Sequence, residues 1–470
     1  MKFRINVIYE CGDGVEQPYE LMALGREALS METLGLTLAE GKRLLHDLQN
    51  YLVNQQVTAH LEQHRHCPQC GLAYVHNGQG SRQISTMFGS ISVSSPRWLC
   101  CDCEPDRGKT FRPVASCLPD RSSPELHYLE TKWASLIPYA KVVDLLKEVL
   151  PVAATLNPET VRHHLHGTAM KLEQELGEEQ DCLFSGSEDD WAAQPLPDGP
   201  MTVGIDGGMV RARNKAGFFE VIAGKSIVAF RREEAEDNPS AKRFGFVQTY
   251  DKKPRRRLWE LMKSQGMQEN QQIVFLSDGG DTVRNLQAYL HPSSEHVLDW
   301  FHVTMRLTVM KQQTKAVVEA DPVFGSDAEK ALESVKHDLW HGNVEAALER
   351  VDDLTFALDI NHRHSTAVAK LLRSVNEFDT YIRNNRAFIP NFGERYRQGD
   401  TISTAFVEST INEVVSKRFV KKQQMQWTPK GAHLLLQTRT RVLDDDLDKV
   451  FRNWYPQFRP ETAAPLVACQ

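Results

Sequence analysis

Two apolar runs that each end in Asp-Gly-Gly constrain the fold of this chain more than any other feature. Residues 203–208 are Val-Gly-Ile-Asp-Gly-Gly, and residues 275–280 are Phe-Leu-Ser-Asp-Gly-Gly. An apolar run that stops at a glycine turn is typical of a buried strand, so each segment presents its carboxylate at a strand end. Two such strands in one sheet bring Asp206 and Asp278 together. A third acid, Glu408 in a helical segment, would complete an oxygen-rich pocket for hard divalent cations.

Composition limits the class of protein. The 470 residues suffice for about three domains of ordinary size. With 41% hydrophobic and 25% charged residues, the chain is expected to be globular and soluble. No apolar stretch approaches the roughly 18 residues of a membrane helix, and residues 1–10 alternate like a strand and lack a signal-peptide core. The predicted compartment is the cytoplasm, where nine cysteines indicate bound metal or free thiols more than disulfides.

Two Cys-x-x-Cys pairs predict a structural zinc site within residues 61–117. Cys67 and Cys70 form the first pair, and Cys-Cys-Asp-Cys at residues 100–103 contains the second. Two such pairs around a hairpin-like stretch are typical of a tetrahedral four-thiolate site, which leaves no open position for catalysis. The spacing favours Cys100 as the third ligand and Cys103 as the fourth, with Cys101 as an open alternative to Cys100. A redox pair is the competing interpretation, but no thioredoxin-like pattern surrounds either motif.

Residues 118–180 are predicted to be helical. Ser123-Pro124 is a typical helix start, with an N-cap followed by a first-turn proline. The expected apolar face of the second helix comprises Val142, Val143, Leu146 and Val149, and that of the third comprises Val161 and Leu165. The other face of the third helix is polar and basic. Such helices fit a helix-turn-helix DNA reader, with a plain helical connector as the alternative.

An acidic linker at 181–200 separates these parts from an α/β pattern. Strands are predicted at 201–206, 218–230, 243–250, 272–277 and 295–298, and helices at 254–265 and 281–290. This order matches an RNase H-like α/β fold. We assign a catalytic domain to 201–312 and 401–445, an all-helical insertion to 313–400, a strand and helical region to 1–60 and a tail to 446–470.

The glycines after Asp206 and Asp278 would let a DNA backbone and hydrated metal ions approach closely. The competing interpretation is that each aspartate merely caps its turn. Glu408 follows the plausible N-cap Ser403, and Asn412 falls one turn below Glu408 on the same helix face. Glu413 is the rival acid, but it faces away and is expected at the surface.

Asp299 and His302 lie where a predicted strand passes into a helix. Asp299 would act as a fourth metal ligand, or the two side chains would bond each other and fix the corner; the residue types favour the second role. Asp281 is expected to cap its helix.

Basic residues cluster although the net charge is −7. One cluster spans residues 252–257, and residues 411–443 contain seven lysines and arginines against one glutamate. Local basic patches bind phosphate backbones, so the average charge excludes little. The residues expected to contact DNA are Arg255, Arg256, Arg257, Lys417, Arg418, Lys421, Lys422, Arg439 and Arg441.

Four segments carry a resemblance to a known family: GIDGG, FLSDGGDTVRNLQ, LDWFHVTMRLT and FVESTINEVVSKRFVKKQQMQWTPKGAHLLLQTRTRV. The chain resembles bacterial insertion-sequence transposases of the ISKra type, a group similar to the Mutator-like DDE transposases. The resemblance covers about residues 60–445. It implies that Asp206, Asp278 and Glu408 are the catalytic acids. Asp299 and His302 match an Asp/Cys-x-x-His element that lies between the second and third acids in Mutator-like enzymes.

The resemblance implies cleavage at the ends of a mobile element and transfer of the freed 3′-OH into target DNA. Two Mg²⁺ (or Mn²⁺) ions at the three acids would support both steps. The zinc module and helical region would recognise terminal inverted repeats of double-stranded DNA. A homo-oligomer is expected because two ends must be joined, and no membrane is involved. The alternatives are a silent transposase-derived DNA-binding regulator and an RNase H-like nuclease acting on RNA–DNA hybrids or structured DNA.

Overall fold

The computed structural model describes residues 1–10, 16–103, 108–180, 183, 186–195, 197, 199–213, 217–228, 241–280, 294–361, 365–420 and 425–459. The chain divides into two compact units, which we describe separately: unit 1 comprises residues 1–168 and 446–470, and unit 2 comprises residues 169–445. This division falls inside the helix Pro158–Glu175 and not in the acidic segment 181–200. That segment itself contains a short helix, Glu188–Ala192.

Unit 1 begins with an antiparallel pair of strands, β1 (Lys2–Glu10) and β2 (Glu16–Gly25). The long helix α1 (Leu38–Gln63) starts at Thr37, whose hydroxyl accepts the Glu40 N–H while the Glu40 carboxylate accepts the Thr37 N–H. This reciprocal cap satisfies two amides at the helix start. The remaining elements of this part are β3 (Ser81–Thr86), β4 (Gly89–Ser94), β5 (Trp98–Leu99), β6 (Thr110–Phe111) and α2 (Pro113–Cys117).

The predicted hairpin between the two cysteine motifs is confirmed. Strands β3 and β4 pair antiparallel around a turn that ends at Gly89, whose φ of +124° favours glycine. Alternate residues of the hairpin, Ile84, Ile91 and Val93, are buried against Val57 of α1. This apolar contact holds the hairpin on the long helix.

Three further helices of unit 1 agree with the sequence, and the last extends into unit 2: α3 (Pro124–Leu136), α4 (Tyr139–Val149) and α5 (Pro158–Glu175). The Ser123 hydroxyl accepts the Leu126 N–H, so the predicted cap is confirmed. The predicted apolar positions of α4 and α5 are buried except Val149, which is 55% exposed because it lies in the last turn. The helix Leu447–Trp454 packs against α3, with the rings of Tyr128 and Phe451 5.5 Å apart.

Unit 2 contains a five-stranded sheet with the order β11-β10-β7-β8-β9. Its strands are β7 (Met201–Arg211), β8 (Phe218–Val228), β9 (Lys242–Val247), β10 (Ile273–Ser277) and β11 (Ser294–Leu298). Strands β7, β8 and β9 are antiparallel neighbours, whereas β10 runs parallel to both β7 and β11. All five predicted strands are confirmed, but β7 continues to Arg211 because Gly207 and Gly208 pair with Ile222 and Val221 of β8. Asp206 therefore lies in the middle of β7, and the glycine turn predicted directly after it is wrong. The predicted helix 281–290 and its cap Asp281 lie outside the described residues.

Alternate residues of the strands face two different layers, as expected for a sheet covered on both sides. On one face Ile205 and Phe275 pack with Leu258 and Trp259 of α7 (Pro254–Ser264). On the other face Leu276 belongs to the core of a helical bundle. The bundle comprises α8 (Trp300–Ala320), α9 (Pro322–Trp340), α10 (Val344–Asn361), α11 (Thr366–Asn385) and α12 (Phe392–Gln398).

The chain then returns to the sheet through α13 (Ala405–Ile411), which continues as a π-helical segment, Asn412–Val420. The next helix, α14 (Pro429–Leu443), is buried at every position from Gly431 to Thr440. The last helix is α15 (Leu447–Trp454), already described in unit 1. Among the described helices, none is long and apolar enough to cross a membrane.

Candidate functional site

The register of two parallel strands aligns Asp206 with Asp278. Gly204 of β7 pairs with Leu276 of β10, and each aspartate lies two residues further along its strand direction. Residues two apart on a strand project from the same face, and neighbouring strands are about 4.8 Å apart. Asp206 lies in the middle of β7 and Asp278 directly follows β10, so the register places these two residues beside each other. The proximity predicted from the two Asp-Gly-Gly segments is therefore supported by the pairing.

The glycines beside these acids leave space for close neighbours. The Gly207 N–H donates to Asp206 Oδ1 at 2.7 Å, and the Gly280 N–H donates to Asp278 Oδ1 at 3.0 Å. Gly279 has a φ of +83°, and a Cβ there would overlap Asn385 of the helical bundle. A side chain at position 279 would therefore be strained and would push α11 away from Asp278.

Asp299 is fully buried at the strand–helix corner, as the structural role predicts. Its carboxylate accepts the Phe301 N–H at 2.8 Å, the Thr404 N–H at 3.1 Å and the Thr404 hydroxyl. Thr404, and not the expected Ser403, is the N-cap of α13, the helix that carries Glu408. His302 Nε2 lies 3.7 Å from Asp299 Oδ2. Asp299 thus fixes both the start of α8 and the start of α13.

The acid cluster, which we define as Asp206, Asp278 and Asp299, is electrostatically crowded. Burial raises the pKa of Asp206, the carboxylates of Asp278 and Asp299 raise it further, and the Gly207 N–H and the His302 imidazole oppose them. Like charges that cannot all ionise freely favour a bound cation. His302 therefore lies close enough to lower the pKa of Asp206.

Glu408 lies on the helix that covers the strand of Asp206. A Cβ at Gly204 would overlap Val407, and a Cβ at Gly208 would lie 3.6 Å from Ile411. Asp206 projects from the same face between these two glycines. The Glu408 side chain is exposed, and Asn412 is half-buried at the start of the π-helical segment. The helix of Glu408 therefore lies on the face of β7 from which Asp206 projects. Among the described residues, the exposed Glu408 carboxylate forms no group with Asp206 and Asp278 within 4.8 Å, so the predicted convergence of the three acids is not shown.

The rival acid Glu413 has a different environment from the one expected. It is half-buried and accepts a hydrogen bond from Arg243 Nε at 2.9 Å. Arg243 also binds Asp444 at 2.8 Å. Glu413 is therefore engaged in an internal ion pair, which supports the choice of Glu408.

Sequence reasoning missed Glu220. Its carboxylate occupies the space that a side chain at Gly207 would need, with Oε1 2.6 Å from the position of such a Cβ. Burial raises the pKa of Glu220, and the charges of Asp278 and Asp206 raise it further. An acid between the apolar residues Phe219 and Val221 of β8 was the available signal.

Four thiols lie within 4.8 Å of one another, those of Cys67, Cys70, Cys101 and Cys103. We call this group the thiol cluster. Sulfur separations are 3.1 Å between Cys67 and Cys101 and 4.0 Å between Cys70 and Cys101. A zinc tetrahedron has sulfur–sulfur edges of about 3.8 Å, so the cluster has the composition and size to bind zinc. The N–H of Cys70, followed by the Cys101 thiol, lowers the pKa of the Cys67 thiol to about 6.

The assignment of Cys100 as third ligand is wrong, and Cys101 takes its place. The Cys100 N–H donates to the Lys109 carbonyl at 3.1 Å, which continues the pairing of β5 with β6. Successive side chains of an extended segment point in opposite directions, so Cys101, and not Cys100, faces the first knuckle.

A second group of residues has side chains of the types that bind metals, but it already encloses the guanidinium of Arg257. Glu173, Asp251 and His433 lie within 4.8 Å of one another, but the Arg257 guanidinium binds Glu173 at 2.8 Å and Asp251 at 2.9 Å. Arg257 also donates to Gln437 Oε1 at 2.6 Å. We call these five residues the Arg257 network. Hydrogen bonds from His433 and Arg257 outweigh the effect of burial and lower the pKa of Glu173 to about 2.

Several predicted DNA contacts are therefore wrong. Arg257, Arg418 and Arg439 are 8%, 0% and 2% exposed and cannot contact a DNA backbone at the surface. Arg439 donates to the Val414 carbonyl at 2.8 Å, which is one of the carbonyls of the π-helical segment. Burial, followed by the charge of Arg418, lowers the pKa of Arg439 to about 10.

The other predicted contacts differ in exposure. Arg255 and Arg256 are half-buried, and their backbone N–H groups bind the Glu179 carboxylate at 3.0 and 3.1 Å. Lys417 is exposed and Arg441 is half-buried. Lys421 and Lys422 lie outside the described residues. The predicted basic cluster at 252–257 is thus largely neutralised by neighbouring acids.

Searches of protein-family models and of curated proteins find no match to this chain.

Proposed function

We propose that this protein is a DDE transposase that cuts DNA at the ends of a mobile element and joins the freed 3′-OH to target DNA. The observation that carries the proposal is the register of Asp206 and Asp278 on adjacent parallel strands, with the helix of Glu408 on the same face. The strand order, three antiparallel strands extended by two parallel ones, supports an RNase H-like sheet.

Asp206, Asp278 and Glu408 would hold two Mg²⁺ or Mn²⁺ ions, since hard cations prefer carboxylate oxygens. When bound, these ions activate the attacking oxygen and stabilise the leaving 3′ oxygen. The half-buried pair Asp206 and Asp278 fits a cation because the hydrogen bonds they accept from the described residues come from backbone N–H groups. Asp299 holds the start of α13 through Thr404 and thereby positions Glu408.

In unit 1, we propose that the thiol cluster binds structural zinc. Four thiolates would close the tetrahedron, so this site supplies folding stability and no chemistry. The module and the helices that follow would read the terminal repeats, and two copies of the chain or more would hold two DNA ends.

The test uses a duplex from the DNA that flanks the gene, expected to contain imperfect inverted repeats. The full chain should nick this duplex at the repeat end when Mg²⁺ is present. Glu408→Gln should abolish nicking and leave binding of the repeat unchanged, because the carboxylate acts on the reaction and not on recognition. Glu349→Gln, an exposed glutamate of α10, is the matched control and should nick normally.

Retained Mg²⁺-dependent nicking by Glu408→Gln would refute the assignment of the third acid. Binding without nicking by the unmodified chain would favour a silent regulator. Cutting of RNA–DNA hybrids without preference for the repeat would favour an RNase H-like nuclease.

A further inference from the structure

One arginine of the helical bundle is held beside the acid cluster by an aromatic ring. The guanidinium carbon of Arg306 lies 4.2 Å from the centroid of the Tyr381 ring. Arg306 follows His302 by four residues on α8, so both side chains project from the same face of that helix. Arg306 is exposed, whereas Tyr381 is half-buried.

Tyr381 is anchored to the turn that follows Asp278. Asn385, one turn further along α11, donates from Nδ2 to the Tyr381 carbonyl at 2.9 Å and lies against Gly279. The ring is close enough to the acids for their charges to act on its hydroxyl: burial raises the pKa of Tyr381, the charges of Asp278 and Asp299 raise it further, and Arg306 opposes them. His302, one turn before Arg306 on α8, lies 3.7 Å from the Asp299 carboxylate, so the stacked pair lies near the acid cluster.

We propose that Arg306 binds a phosphate of the DNA strand that is cut at the acid cluster. This inference rests on the proposed function. Carboxylates repel a phosphate, so a fixed cation near them helps the scissile strand approach. Within the described residues, the contacts of Arg306 are those with Tyr381 and no carboxylate forms an ion pair with it.

Stacking on Tyr381 also defines what Arg306 can do. A guanidinium that lies on an aromatic face keeps its plane fixed and retains N–H donors at its edge. That edge matches two oxygens of a phosphate, which a lysine ammonium cannot bind in the same bidentate manner. The helical bundle would thus supply a substrate contact as well as a packing surface for the sheet.

The first experiment measures single-turnover nicking of the repeat duplex by the full chain. Arg306→Ala should slow nicking about 10- to 100-fold, the range for a lost charged hydrogen bond. Arg306→Lys should recover part of the rate, and Tyr381→Phe, which keeps the ring, should be faster than Tyr381→Leu. Lys315→Ala, an exposed cation later on α8, is the matched control and should leave the rate unchanged.

The second experiment measures equilibrium binding in Ca²⁺, with single neutral methylphosphonates at the scissile phosphate and at each flanking phosphate. At one of the three positions, the methylphosphonate should weaken binding by the unmodified chain. At that position the unmodified chain and Arg306→Ala should then bind with equal affinity. Such coupling requires contact with that phosphate, and a merely structural arginine would not show it.

The proposal for Arg306 would be overturned if Arg306→Ala weakened binding by the same factor on the normal duplex and on all three duplexes with a neutral methylphosphonate. If the coupling is present but the unmodified chain does not nick in Mg²⁺, the proposed function fails while the phosphate contact stands. Nicking that is unaffected by Arg306→Ala, without coupling, refutes the contact and leaves the transposase assignment intact.

Discussion

Two groups of carboxylates in unit 2 differ in what neutralises them. In the Arg257 network, beyond the end of the edge strand β9, Glu173 and Asp251 enclose a guanidinium that is 8% exposed. In the acid cluster, Asp206 in the middle of β7 and Asp278 directly after β10 accept hydrogen bonds from backbone N–H groups. The first group is complete without a ligand, whereas no cationic side chain of the described residues forms an ion pair with Asp206 or Asp278 in the second. Residue types alone do not separate a structural acid from a cation site.

The thiol cluster resembles the acid cluster, because its ligands enclose no internal cation among the described residues. We expect Cys101→Ser to lose the zinc and to unfold the surrounding module, since zinc binding is coupled to folding in such sites. Cys100→Ser is the matched control and should retain about one zinc ion per chain. Metal analysis of purified chains measures this, and zinc loss by Cys100→Ser but not by Cys101→Ser would reverse our assignment.

The Arg257 network should behave as an internal ion pair. Arg257→Met leaves Glu173 and Asp251 without their cation and should destabilise unit 2 by about 3–5 kcal/mol. Arg255→Met on the same helix removes a half-buried pair and should cost about 1 kcal/mol or less. Urea denaturation gives both values. If Arg257→Met were as stable as the parent chain but bound DNA more weakly, our description of Arg257 as structural would be wrong.

Asp299 should act on metal binding through the position of Glu408. Asp299→Asn weakens the hold on Thr404 and should reduce Mn²⁺ affinity about 10- to 100-fold, the usual range for a residue that orients a ligand. Asp299 acts on the metal site through the position of α13. In the double variant, Asp299→Asn should therefore add little to the loss of Mn²⁺ affinity that Glu408→Gln already causes. Calorimetric titration of the single and double variants measures this. Fully additive losses would indicate that Asp299 is itself a ligand.

The smallest effect is expected for DNA binding by Lys417, an exposed basic residue. Lys417→Ala should lower the slope of log affinity against log salt by about 0.9, the contribution of one phosphate contact. Arg255→Ala should leave the slope unchanged, because nearby Glu179 already offsets its charge. Binding measured at several salt concentrations would show this, and equal slopes for all three chains would remove Lys417 from the DNA surface.

The positions of the strands were predictable from their apolar runs. The glycine turn predicted after Asp206 was wrong, because Gly207 and Gly208 continue β7 in its pairing with β8. The alignment of Asp206 with Asp278 follows instead from the register of β7 with β10. The identity of the third thiol did not follow, because neighbouring residues point in opposite directions and the register of β5 with β6 decides between them.

The errors at Arg257, Arg418 and Arg439 have one physical cause. A run of basic residues in a sequence indicates charge but not the acids or carbonyls that fold against it. Glu173 lies far from Arg257 along the chain, and Arg439 binds carbonyls of a π-helical segment that no sequence pattern indicated. Tyr381 and Asn385 were missed for the same reason, because the helical bundle meets the acid cluster through tertiary packing.

The measurement that tests the account most directly is single-turnover nicking of the repeat duplex by Asp206→Asn and Asp278→Asn. Each change removes the charge of one of the two aspartates while keeping the size of the side chain. We predict that each variant binds the repeat normally and nicks about 1,000-fold more slowly or not at all, because several kcal/mol of transition-state stabilisation are lost. Nicking by either variant within tenfold of the parent rate would contradict the claim that these two aspartates form the catalytic site.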